Sequence, residues 1–157
     1  MTDLSYCAQH LKNKNYDRFL LALFVPAHER EAVLAVYALN VELKDVHDRI
    51  SEEMIGHIRY AWWEEVLTKP PPGQPVLEAL QTAQVPAELL LPLVQAYRSA
   101  FPNMPDVDAL LEKITLTISP KAEKTWHRAR NIISQHRKKY GPRRNSWLSF
   151  KLLMGGL

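Results

Sequence analysis

The segment 27–50 constrains this chain more than any other. Val36, Leu39, Leu43, Val46 and Ile50 recur at alternating spacings of three and four, which places them on one stripe of a helix that a neighbouring helix must cover. A second line runs Leu34, Tyr37, Val41, Asp45, Asp48 and turns from apolar to acidic. A helix apolar on two sides is enclosed at that end. Its first half is therefore expected inside a bundle, with Asp45 and Asp48 looking into a polar cavity more than into open solvent.

Prolines divide the remaining sequence into segments of helical periodicity, and no Asn-Gly or Asp-Gly hairpin signal occurs. The predicted fold class is all-α, a compact helical bundle with helices at 17–25, 27–50, 52–68, 76–83, 87–100, 106–118, 121–140 and 146–154. Ser51, Asp106 and Ser146 are the expected N-caps of their helices. Pro92 implies either a kink or a later helix start. The run 69–75, Lys-Pro-Pro-Pro-Gly-Gln-Pro, cannot continue a helix and reads as an exposed loop. The chain is expected to form one domain, 1–157, in which a synthase-like front spans 1–68, followed by the loop 69–75, a helical middle 76–118 and basic C-terminal helices 119–157.

At 157 residues and 46% hydrophobic the chain has enough apolar material for a real core. Cys7 is the only cysteine, which excludes an internal disulfide and disfavours a thiolate metal site. The six histidines show no ligand spacing. No apolar run reaches the roughly 20 residues that span a bilayer, and the opening Met1-Thr2-Asp3-Leu4-Ser5 begins neither a signal peptide nor a transit pattern. The expected compartment is the cytoplasm, with room for a peripheral membrane contact. Residues 1–118 hold 10 Lys and Arg against 16 Asp and Glu, whereas 119–157 hold 10 against Glu123 alone. Such a basic end can seek anionic lipid, an acidic protein surface or nucleic acid.

The run Asp17-Arg18-Phe19, Phe24-Val25-Pro26, Arg30 and Ala35-Val36-Tyr37-Ala38-Leu39-Asn40, followed by Ser51 to Glu65 with its Trp62-Trp63-Glu64, resembles the opening of the squalene/phytoene synthase family. It is most similar to the branch that contains bacterial relatives and the mitochondrial complex I assembly factor. The likeness is strong over 5–67, weaker from Pro75 to Ile118, and only compositional beyond. It implies a shortened isoprenoid-synthase-like architecture. It also implies the family's chemistry, the joining of prenyl diphosphates, in which Mg²⁺ held by two aspartate-rich motifs neutralises the departing diphosphate.

This sequence departs from that pattern. The first motif, Asp-Asp-x-x-Asp, aligns with Lys44-Asp45-Val46-His47-Asp48, so a cation replaces the leading carboxylate. An arginine of the family's synthases aligns with Val41, and the arginine of a Trp-Arg pair aligns with Glu64. The second motif is absent from these residues. Asp108 and Glu112 share a helical face but read as a solvated one.

Two readings stand for Asp45 and Asp48: a remnant Mg²⁺-diphosphate site, or acids paired with Lys44, Arg49 or Arg59. Arg30 and Tyr37 are the candidate ligand contacts, against a surface arginine and a buried tyrosine with a satisfied hydroxyl. Of Trp62 and Trp63, about 100° apart on a helix, at most one can face the main core. Arg137, Lys138, Lys139, Arg143, Arg144 and Trp147 form a candidate membrane or partner surface, against an amphipathic helix whose apolar side packs on the domain. The expected function is a catalytically degenerate family member acting as a binding or scaffolding component, peripheral to a membrane or a membrane protein complex, with no cofactor. The alternatives are a prenyltransferase using Mg²⁺ and prenyl diphosphates, and a nucleic-acid-binding helical module.

Overall fold

The computed structural model describes residues 4–141. Every regular element among them is helical: α1 (Tyr6–Lys14), α2 (Tyr16–Ala22), α3 (Ala27–Arg49), α4 (Glu53–Thr68), α5 (Pro75–Thr82), α6 (Ala87–Ala100), α7 (Asp108–Ile118), a 3-10 turn (Pro120–Ala122) and α8 (Glu123–Tyr140). The centre is α3, buried on all sides from Val33 to Val41. Helices α1, α2, α4, α5, α6 and α7 pack around it, α6 runs along α4, and α8 lies on α2. The stripe read from the sequence is the inner one, with Val36, Leu39 and Leu43 fully enclosed and Val46 nearly so.

Several boundaries differ from the sequence reading, each for a local reason. Helix α1 falls outside the expected elements because its composition is largely polar. Ser5 starts it by accepting from Ala8 N at 3.3 Å, and Cys7, Ala8 and Leu11 supply a narrow buried stripe. Helix α2 stops at Ala22 rather than 25, since the residue before Pro26 is pushed out of the helical region. Ser51 does not cap α4: Glu52 is the boundary residue and makes no side-chain cap bond, leaving those exposed amides to water. Asp106 lies two residues ahead of α7 and accepts from Asp108 N at 3.1 Å.

Helix α6 runs unbroken through Pro92. Pro92 and Glu88 are both exposed, so the Glu88 carbonyl that loses its amide donor faces water and the missing bond costs little. At α5, Pro75 occupies the first position, where no amide is needed, and the Gln74 side chain accepts from Leu77 N at 2.8 Å. Trp63 is buried against the core while Trp62 is half-buried, edge-on to it. Cys7 is enclosed, and burial pushes its thiol up to about 12, which keeps it protonated and unreactive. The expected helix 146–154 lies outside the described residues.

Candidate functional site

Asp45 and Asp48, on the last two turns of α3, do not share one cavity. Asp45 lines a pocket of about 310 Å³ with Glu42, Arg49, Arg59, Trp62 and Trp63. Its carboxylate lies 3.5 Å from Arg49 Nη2. Asp48 is on the outside, where Lys44 Nζ donates to it at 2.6 Å and His47 Nδ1 lies 3.0 Å from its second oxygen. The Lys44 ammonium, and then the His47 ring, hold the Asp48 carboxyl below its usual range. His47 reaches Pro102 O with its other ring nitrogen at 3.0 Å, which ties the end of α3 to the chain after α6.

Mg²⁺ needs near-octahedral oxygen ligands and commonly bridges carboxylates to a phosphate. These residues do not fit it. Both carboxylates already meet cations, they look into different surroundings, and among the described residues no three His, Cys, Asp or Glu side chains gather where a metal could lie. The position where the family has an arginine holds Glu64, which accepts from Arg98 Nη1 of α6 at 2.7 Å.

Tyr37 lies in the core with its hydroxyl fully engaged. It is 2.8 Å from Thr115 Oγ1 of α7 and accepts from Trp126 Nε1 of α8 at 3.0 Å. Desolvation raises its pKa, so the phenol stays neutral. A second core tyrosine, Tyr97, donates to Asn40 Oδ1 at 2.8 Å, and Tyr60 donates to Leu43 O at 3.0 Å. Arg30 donates from Nη2 to Leu23 O and Val25 O, both at 3.1 Å, and so satisfies carbonyls left open where α2 ends.

The basic end of the chain is built partly into the fold. Trp126, Ala129, Ile133 and His136 turn the apolar side of α8 inward. Arg137 grips Asp17 of α2 with Nε at 2.8 Å and Nη2 at 2.5 Å from Oδ1, a two-pronged pair that fixes the helix. Lys138 and Lys139 are exposed. Arg143, Arg144 and Trp147 lie outside the described residues.

Sequence reasoning missed a set of ion pairs between helices. Arg18 Nη2 donates to Asp108 Oδ1 at 2.6 Å, and Glu112 accepts from Arg130 and lies 2.6 Å from His127 Nε2. The Asp108–Glu112 face is therefore not simply solvated; it links α7 to α2 and α8. Arg18, Asp108 and Arg130, with Asn15, Asp17, Arg137 and Lys138, frame a groove of about 700 Å³ floored by Leu21, Trp126 and Ile133. Arg18 and Asp108 stand 90 positions apart and Asp17 and Arg137 stand 120 apart, separations that no sequence pattern joins, although Asp17 and Arg18 stand in the family-like run.

The described residues form an all-α bundle around a central helix that encloses Tyr37 and carries Lys44, Asp45 and Asp48 on its last turns. The sequence model of squalene/phytoene synthase matches residues 11–112, and the chain belongs to that family. Among curated proteins it is similar to NADH dehydrogenase (ubiquinone) complex I, assembly factor 6. It is 40% identical to the human protein over 75 residues, 45% of this chain and 22% of that one. It is 36% identical to the Bos taurus protein over 75 residues, with the same coverage, and 37% identical to the Rattus norvegicus protein over 82 residues, 50% of this chain and 25% of that one. The chain thus spans about a quarter or less of the length of these relatives. No solved structure matches it.

Proposed function

We propose that this chain is a catalytically degenerate member of the squalene/phytoene synthase family that serves as a binding and scaffolding component of a membrane protein complex, at the periphery of that complex. The observation that carries the reading is the fate of the first motif. Lys44 stands in place of the leading carboxylate and pairs with Asp48, while Asp45 turns into a separate pocket, so the clustered carboxylates that hold Mg²⁺ for diphosphate ionisation are not brought together. The assembly-factor relatives support the choice of a respiratory NADH dehydrogenase as the complex. No helix among the described residues is long and apolar enough to cross a membrane, and a peripheral attachment needs none.

The test is to tag the chain in its native cells and resolve detergent-solubilised membranes on native gels. The expected result is co-migration with NADH dehydrogenase or its subassemblies, released by alkaline wash. In parallel, purified protein is incubated with Mg²⁺ and farnesyl or geranylgeranyl diphosphate, with no condensation product expected. A product that disappears in Asp45→Asn with Asp48→Asn would establish a prenyltransferase instead. Migration apart from every membrane complex would remove the scaffolding role.

A further inference from the structure

Helix α4 is apolar on two opposite sides, and the bundle covers only one of them. Gly56, Tyr60 and Trp63 form its buried line against α3 and α6. At about 100° per residue, Met54 and Ile58 stand opposite that line with Ile55 beside them, and they are 75%, 63% and 47% exposed in that order. Half-buried Ala61 and Trp62 continue the stripe. Large apolar side chains left open so close together mark an interaction surface. On α3 the same two-sided pattern is enclosed by neighbouring helices; on α4 the outer side stays bare.

The two flanks of this face differ in charge. On one, each charge is answered within the chain: Glu53 lies 3.7 Å from His57 Nε2, and Glu64 accepts from Arg98 Nη1 at 2.7 Å. On the other stand Glu52 and Arg59, two turns apart and therefore on one side of the helix. Both are exposed, and neither makes an ion pair among the described residues, Arg59 lying 5.7 Å from the centroid of the Trp62 ring. One open acid and one open base at the two ends of an apolar stretch complement a copy of themselves. A twofold axis across α4, midway between them, turns the helix end for end and keeps the flank. Each Glu52 then faces Arg59 of the second copy, twice over. A lipid surface or a basic peptide answers only one of the two charges.

We propose that the outer face of α4 is the contact of an isologous dimer, in which two copies of this chain lie antiparallel across Met54, Ile55 and Ile58 with a Glu52–Arg59 pair at either end. A face of about three helical turns is narrow, so the dimer forms and dissociates with concentration. It stands whether or not the chain scaffolds a membrane complex.

The test is sedimentation velocity of the whole purified chain over a wide range of concentration. Self-association that rises with concentration is expected, weakened about tenfold or more by Ile58→Glu and by each of Glu52→Arg and Arg59→Glu, which set like charges against each other. Mixing the Glu52→Arg chain with the Arg59→Glu chain restores it, because every charge again meets its opposite. All three positions are exposed, so circular dichroism melts close to wild type are expected, and Ile58→Glu carries the test should a charge variant unfold. A monomer at every concentration, a dimer that Ile58→Glu leaves intact, or mixed charge variants that pair no better than either alone overturns the proposal. So does a monomer that floats with phosphatidylcholine vesicles and loses them in Ile58→Glu, which assigns the face to lipid.

Discussion

Trp126 Nε1 donates to the Tyr37 hydroxyl at 3.0 Å, joining two buried side chains 89 positions apart. The direction of the next bond follows. Thr115 gives its one hydroxyl proton to Leu111 O at 2.7 Å, so the Tyr37 proton goes to Thr115 Oγ1 and the Tyr37 lone pair receives the indole. Tyr37→Phe leaves the Trp126 N–H buried without an acceptor and is expected to cost about 1–3 kcal/mol in denaturant unfolding. Combined with Thr115→Val, the loss should be smaller than the sum of the two, because both act on one network. Full additivity would mean the chain of bonds does not act as a unit.

Gly56 carries a second prediction. A Cβ built there falls 2.3 Å from Cε1 of the buried Phe101 ring. Alanine ordinarily stabilises a helix interior by about 1 kcal/mol over glycine, but the overlap reverses the sign here. Gly56→Ala is expected to destabilise by about 1–3 kcal/mol as the ring is displaced, with Phe101→Leu restoring some of the loss. Thermal melts of the single and double variants check both statements.

Acid should loosen the contact between α7 and α8. The His127 ring, followed by the Arg130 charge, holds the Glu112 carboxyl below its usual range. A carboxyl lowered in the folded state contributes stability that is fully present above its unfolded value, about 4.3, and is lost as pH falls through the lower folded value. Stability of the wild type should decline over that interval, and Glu112→Gln should flatten the decline while lowering the plateau at neutral pH. An identical acid slope in the variant would assign it to other carboxyls.

The Arg137–Asp17 pair should govern how firmly α8 is held. Asp17→Asn keeps the shape and removes the charge that two guanidinium nitrogens share. The expected loss is about 1 kcal/mol, reduced from a fully buried pair by partial exposure. Amide exchange should quicken in α8 and not in α3, whereas uniform quickening would show that the pair stabilises the whole bundle.

The central helix was legible because burial on α3 imposes a regular spacing that survives in sequence from Val36 to Ile50. The departures at Lys44, Val41 and Glu64 were legible through the family-like run, since each replaces a charge. Helix α1 escaped because Cys7, Ala8 and Leu11 make too thin a stripe among polar neighbours. The groove escaped for a different reason: Arg18 with Asp108 and Arg137 with Asp17 are tertiary pairs, and charge composition gives no partner. Asp45 and Asp48 looked equivalent on a helical line, yet the side chains diverge because Trp62, Trp63 and Arg59 flank one and Lys44 with His47 flank the other.

The joining of α8 to α2 also sets an order for the chain during translation. Tyr37 leaves the ribosome well before Trp126, and Asp17 well before Arg137, so the early helices meet the cell without the groups that complete them. A nascent chain stopped short of α8 lacks the groups that cover Leu21 and bond to Tyr37, and apolar surface exposed in this way is prone to aggregate. Only when Trp126 and Arg137 arrive can the Tyr37 hydroxyl and the Asp17 carboxylate take up the partners that they have in the folded chain.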